Sequence, residues 1–157
     1  MAYTYSIVGV LALVRQLVVS ALTAQSAAPG MAPFSFVGDQ YPTRATDLPM
    51  TVIEVGKGRV DRRNGPAERT FELPVKVHYF LSRSANGNAE MTAMGLLSAI
   101  AAQCENDPRL SYLSPSIAIR TVAPELPCVT ERMLAGMQNV AIAHAELTIN
   151  VSWEEFR

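Results

Sequence analysis

Between Thr70 and Ser82 the chain alternates without a break, with Phe71, Leu73, Val75, Val77, Tyr79 and Leu81 apolar and Thr70, Glu72, Pro74, Lys76, His78 and Phe80 between them. A period of two puts the first set on one face of a strand and the largely polar set on the other. From about Val140 to Glu154 the pattern recurs. Ala141, Ala143, Ala145, Leu147, Ile149, Val151 and Trp153 alternate with His144, Glu146, Thr148, Asn150, Ser152 and Glu154. The small residues at the start of its apolar face leave room for a helix to approach closely. Its polar face suits cross-strand pairing with Lys76 and His78, provided the two strands are neighbours. Pro74 cannot donate to a ladder and predicts an edge position or a bulge; an edge is where a neighbouring subunit can add a strand.

Two segments change period from two to 3.6. The first predicts a helix from about Tyr5 to Ala24, with Ile7, Leu11, Val14 and Val18 on one stripe and Val10, Leu17 and Leu22 widening it. Thr4 or Ser6 can cap its start. A secretory signal ending near Ala28 is the competing reading. No Lys or Arg precedes the apolar run, however, and Arg15 interrupts it. The run also falls short of the ~20 apolar residues that cross a bilayer, so no membrane partner is expected. The second helix opens after Asn86, Gly87 and Asn88, with Glu90 where the dipole favours negative charge. Met94, Leu97, Ala101 and Cys104 form its stripe, flanked by Met91 and Ile100, and Asp107 and Pro108 end it.

The remaining chain reads as shorter strands and connections. Ala27 to Pro49 is a Pro/Gly-rich connection holding one brief strand around Phe34 and Phe36, and Met50 to Val55 is a strand by its β-branched content. Gly56 to Arg69 has turn chemistry and concentrates the basic residues Lys57, Arg59, Arg62, Arg63 and Arg69. Such a loop either touches phosphate or an acidic partner, or is simply solvated. Ser116 to Val122 is a short strand with Ile117 and Ile119 on one face. Ala123 to Asn139 is too long for a hairpin turn, and Met133, Leu134 and Met137 mark it as a segment that docks on a partner.

Composition narrows the function classes. The 157 residues suit a single domain, 1–157, and 49% are apolar while only 17% are charged, against roughly 25% charged in an average soluble domain. That excludes disorder and means that either the core is generous or part of the surface is shared with a partner. Thirteen basic and fourteen acidic side chains leave a formal charge of −1, so any attraction to nucleic acid must be local. Cys104 and Cys128 lack metal or disulfide spacing and are expected as small buried thiols. There is no phosphate loop, nucleophile elbow, HExxH or acidic metal cluster, and no cofactor is implied. His78, on the polar phase with no second ligand nearby in sequence, is expected as a surface histidine. His144 and Glu146 share a strand face, which suits an acid/base pair and equally a solvent-facing ion pair. Asn150 to Ser152 matches a glycosylation sequon, a short pattern that implies nothing without secretion.

The order of elements resembles the tail terminator and tail-completion proteins of tailed bacteriophages. The local marks are the strand at Leu48 to Val55, the turn at Asn106, Asp107, Pro108 and Leu110 after the second helix, and the final strand closing on Trp153. The resemblance implies an α+β fold, with a mainly antiparallel sheet of four to five strands and two helices packed on one face. It further implies a hexameric ring that caps the tail tube and joins it to the head-tail connector or adaptor, without enzymatic activity, in the virion and, during assembly, the host cytoplasm. Lys57, Arg59, Arg62, Arg63 and Arg69 would then face the tube or a lumen through which DNA passes. Val10, Leu17, Pro74, Met133, Leu134 and Met137 are the subunit-interface candidates. Other readings are a head-tail adaptor or tail tube subunit, a small enzyme with its site at His78, His144 and Glu146, and a secreted binding module.

Overall fold

The two long alternating segments pair with each other. Strands at Glu68–Ser82 and Ile142–Phe156 run antiparallel along their whole length, from Glu68 opposite Phe156 to Ser82 opposite Ile142. In this computed structural model the described residues are 7–26, 36–38, 40–61, 68–83, 88–107, 119–130, 134, 137 and 141–156. In chain order the elements are α1 (Ile7–Ser26), β1 (Phe36–Gly38), a 3-10 turn at Ala45–Asp47, β2 (Met50–Val55), β3 (Arg59–Asp61), β4 (Glu68–Ser82), α2 (Ala89–Asn106), β5 (Ile119–Pro124), β6 (Cys128–Thr130) and β7 (Ile142–Phe156). Thr4, Ser6, Phe34, Arg62, Arg63, Asn86, Gly87, Pro108, Leu110, Ile117 and Met133, all singled out in the sequence, lie outside the described residues.

The chain is α+β, and its seven strands form one mixed sheet in the order β1-β2-β4-β7-β5. That is larger than the four to five antiparallel strands expected, for two reasons. β1 pairs parallel with β2. In addition, two rows of the sheet are interrupted. β2 and β3 lie along the same side of β4, ending at Val55 opposite Val75 and resuming at Arg59 opposite Glu72. β5 and β6 likewise share one side of β7, broken between Pro124 opposite Ile149 and Cys128 opposite Glu146. Each break sets three residues against two on the partner, which is the count of a β-bulge.

Pro74 sits at the first of these breaks. β4 is an interior strand, with β2 and β3 on one side and β7 on the other, so the edge reading of Pro74 is corrected and the bulge reading holds. The carbonyl of Pro74 accepts from the amide of Gly56 at 2.8 Å, so the donor that proline lacks would point at the bulge rather than into a regular ladder. The bulge needs its glycines. A Cβ on Gly56 would stand 2.8 Å from Pro74 Cγ, and one on Gly58 would stand 2.9 Å from the Glu72 carbonyl oxygen.

Both helices cover the face carrying Phe71 to Leu81 and Ala143 to Trp153, and this is the main core. Asn88 caps α2 by accepting from the Met91 amide at 3.3 Å, and Glu90 occupies its first turn as expected. Ala89, Ala93, Leu96, Leu97, Ile100 and Cys104 are its buried residues, whereas Met91 is exposed. α2 lies on the small Ala143 and Ala145 of β7, which allow the close approach. α1 packs beside it, and its Arg15 donates to the Val37 carbonyl of β1 at 2.8 Å.

The buried stripe of α1 is Val10, Leu13, Val14, Leu17, Val18, Ala21 and Leu22, which keeps five of the seven residues expected on it, adds Leu13 and Ala21, and leaves Ile7 exposed and Leu11 half-buried. Burying each of its valine and leucine side chains is worth about 1.5–3 kcal/mol. Val10 and Leu17, expected at a subunit interface, are 0% exposed within this chain and unavailable to a neighbour. The span Ile7–Ala24 is long and apolar enough by composition to cross a bilayer, contrary to the shorter estimate from the sequence, but here one side of it builds the core.

A second, smaller core lies on the opposite face. Val52, Phe80, Leu134 and Met137 are buried together, with Tyr41, Leu48, Met50 and Ile142 around them. Leu134 and Met137 therefore fold back onto their own sheet instead of standing ready for a partner. The expected long connection after Ala123 is also shorter than it reads, because β5 runs on to Pro124 and Cys128–Thr130 joins the ladder as β6.

Candidate functional site

The face away from the helices carries the chemistry. Strand register places Val52, His78 and Glu146 in one row across β2, β4 and β7, and Phe80 opposite His144 in the next row. β6 adds Cys128 opposite Glu146 and Thr130 opposite His144. Because all these positions share the even phase of their strands, side chains from four strands converge above the sheet.

They join in a continuous polar chain. Tyr41 donates its hydroxyl to Glu54 Oε2 at 2.5 Å, and the same oxygen lies 2.7 Å from His78 Nε2. His78 Nδ1 is 2.9 Å from His144 Nε2, and His144 Nδ1 is 2.7 Å from Thr130 Oγ1. One proton arrangement satisfies every link with both rings neutral. Thr130 donates to His144 Nδ1, His144 Nε2–H donates to His78 Nδ1, and His78 Nε2–H donates to the Glu54 carboxylate. Among the described residues no buried side-chain nitrogen or oxygen lacks a partner.

Packing holds the rings in place. His144 stacks on Phe80 with centroids 4.5 Å apart and planes 9° from parallel, and His78 stacks on His144 at 5.1 Å and 22°. Tyr41 meets the edges of His78 and Phe80. His78 is 1% and His144 4% exposed, so the expectation of a surface histidine at 78 and a solvent-facing pair at 144 is corrected. Glu146 does share the face, but its Oε2 lies 3.7 Å from His78 Nδ1, and its Oε1 accepts weakly from the Cys128 thiol at 3.8 Å. Ligand atoms of His78, His144 and Glu146 all fall within 4.8 Å of one another.

Sequence reasoning placed His78, His144 and Glu146 on matching faces and named them together, but missed Glu54, Tyr41 and Thr130. The alternation of β2 puts Glu54 on the same phase as Val52, which is a usable signal. Tyr41 lies in irregular chain and carries no periodic signal at all.

The other singled-out residues are scattered. Lys57 and Arg59 are exposed near the bulge and Arg69 is the second residue of β4, while Arg62 and Arg63 lie outside the described residues. Arg59 is paired with Glu72 across the β3–β4 ladder, and this hydrogen bond raises its already high pKa. Beside it runs a cleft of about 430 Å³ lined by Ile7, Val55, Val60, Leu73 and Trp153. Cys128 is exposed, not buried, and Cys104 is buried with its thiol pushed up to about 12 by desolvation. Asn150 of the sequon lies within β7 and donates to Glu125 at 3.2 Å. Compared with known proteins, the chain matches no family model and no curated protein.

Proposed function

We propose that the chain is a structural virion subunit, a tail terminator whose copies form a ring that caps the tail tube of a tailed bacteriophage and joins it to the head-tail connector or adaptor. The observation that carries this reading is the order and layering of the elements. A long first helix, a short strand pair, a basic hairpin, a second helix and a long final strand build a sheet with both helices on one face. The surface supports association. Val8, Val19, Val55, Leu126 and Val129 are exposed apolar side chains on α1, at the bulge and on the β5–β6 row. Among the described residues β1, β3 and the β5–β6 row pair on one side only, and the next copy can add there in a head-to-tail, ring-closing manner. Lys57 and Arg59, with the other basic residues of that hairpin, then face the tube or the passing DNA.

The test is light scattering and negative-stain imaging of the purified chain, alone and with tail tubes. Six-fold rings of tube diameter are expected. A strict monomer at high concentration that binds neither tubes nor connectors overturns the reading.

One observation favours a second reading, a small enzyme: His78, His144 and Glu146 do come together. That reading requires a turnover that Glu146→Gln abolishes while ring assembly is unchanged.

A further inference from the structure

We propose that His78, His144 and Glu146 bind a divalent transition metal of the zinc class, on the sheet face opposite the helices. The inference does not rest on the ring reading, since it concerns side chains gathered within a single chain.

Donor atoms carry the argument first. Two imidazole nitrogens face each other at 2.9 Å with a carboxylate oxygen 3.7 Å from one of them. Two nitrogens and one carboxylate oxygen form a donor set suited to zinc or its neighbours, not to calcium or magnesium, which prefer oxygen alone. Ligands on one tetrahedral ion at ~2.0–2.1 Å stand about 3.3 Å apart, so the two nitrogens need to separate by only a few tenths of an ångström. Three protein ligands leave the fourth position to water.

The outer hydrogen bonds give a second, independent reason. A metal-bound histidine ordinarily gives its other ring N–H to a carboxylate or another oxygen, which fixes the ring and its tautomer. His78 has Glu54 at Nε2, with Tyr41 in turn on Glu54, and His144 has Thr130 at Nδ1. Both histidines are thus oriented from behind, with their remaining nitrogens facing each other and a Glu146 oxygen within 4.8 Å of both. In the absence of metal those nitrogens share a hydrogen. Binding moves the His144 proton from Nε2 to Nδ1 and reverses the Thr130 hydroxyl from donor to acceptor, with no change in net charge of either ring.

Location adds a purpose. An ion here ties β4 to β7 directly and β2 and β6 through Glu54 and Thr130, pinning four strands at the border of the small second core.

The test uses the full chain, stripped with a chelator, dialysed, and titrated with Zn2+ by calorimetry and with Co2+ by visible absorption. One ion per chain is expected, with a rise in melting temperature and a tetrahedral Co2+ spectrum. X-ray absorption of the zinc form should show two imidazoles and no sulfur. Glu146→Gln, at a partly exposed position that tolerates change, should weaken Zn2+ binding by about tenfold or more, and His144→Ala should abolish it. Glu105→Gln, on the exposed side of α2, should bind as the native chain does. Should His144→Ala fail to fold, Glu146→Gln and the absorption spectrum decide alone. No binding at micromolar Zn2+, sulfur in the coordination shell, or unchanged affinity in Glu146→Gln overturns the proposal.

Discussion

His78 Nδ1 and His144 Nε2 lie 2.9 Å apart although 66 residues separate them in sequence. The contact exists because β4 and β7 pair in a register that sets Phe80 opposite His144 and His78 opposite Glu146, so the two rings meet on a diagonal. A slip of one residue in β7 would turn His144 toward the helices and leave His78 on the other face.

His144→Phe keeps the stack on Phe80 and most of the packed volume but removes both ring nitrogens. His78 Nδ1 and the Thr130 hydroxyl then lose a partner. A buried unsatisfied group costs ~1–3 kcal/mol, so urea denaturation in the presence of chelator should show a loss of that size. A change inside the error of the native value would mean that the polar chain adds nothing to stability.

Two glycines should respond in opposite directions. Gly95 lies within α2, and a Cβ there meets nothing within 4 Å. Gly95→Ala should raise stability by ~0.5–1 kcal/mol through helix propensity. At the bulge, Gly58→Ala drives a Cβ to 2.9 Å from a backbone carbonyl and should destabilise the β2–β3 break. Thermal melts of both variants check the pair, and equal shifts would contradict it.

Phe71 and Trp153 stack in the main core with centroids 5.4 Å apart, across a β4–β7 pair. Trp153 is the only tryptophan and is 1% exposed, so its emission should be blue-shifted in the native state and move red on unfolding. Phe71→Ala removes the stacking partner and should cost ~3–5 kcal/mol, read by the midpoint of that same emission change. Native-like emission with an unchanged midpoint would show the stack to be dispensable.

The Asp47 carboxyl accepts from the Thr43 and Arg44 amides, each at 3.0 Å, and these bonds hold it below its ordinary 3.8. A depressed carboxylate contributes stability that is complete above its unfolded pKa and is lost as the pH falls through the lower folded value. The window therefore lies below about pH 4. Asp47→Asn should lower the melting temperature at neutral pH and flatten the acid limb of the profile, so that the two chains converge below that window. An identical acid limb in the variant would remove Asp47 from the account.

Thiol labelling should separate the two cysteines. Cys128 is exposed on β6 and should react in the native chain, whereas Cys104, buried on α2 with its thiol pushed up to about 12, should react only after unfolding. Two fast thiols in the native state would contradict this packing.

Period and composition alone determined a good deal of this protein. The alternation of residues 70–82 and 140–154 settled which side chains of β4 and β7 face the helices. The cap at Asn88 and the Asp107 to Pro108 stop bounded α2, and the β-branched run 50–55 bounded β2. These are local properties, written in spacing and in the chemistry of single residues.

What only the tertiary structure decided depends on contacts between distant segments. The polar phase of a strand reads as solvent-facing unless something covers it. Nothing local reveals that Tyr41, Leu134 and Met137 pack with Phe80 on that face, or that Tyr41 meets the edge of the His78 ring. The margins of the α1 stripe were set for the same reason, since the helix carries apolar residues nearly all round and α2 and the sheet select Leu13 and Ala21 over Ile7 and Leu11. Pro74 likewise became interior because the bulge at Gly56 to Gly58 removed the need for its donor.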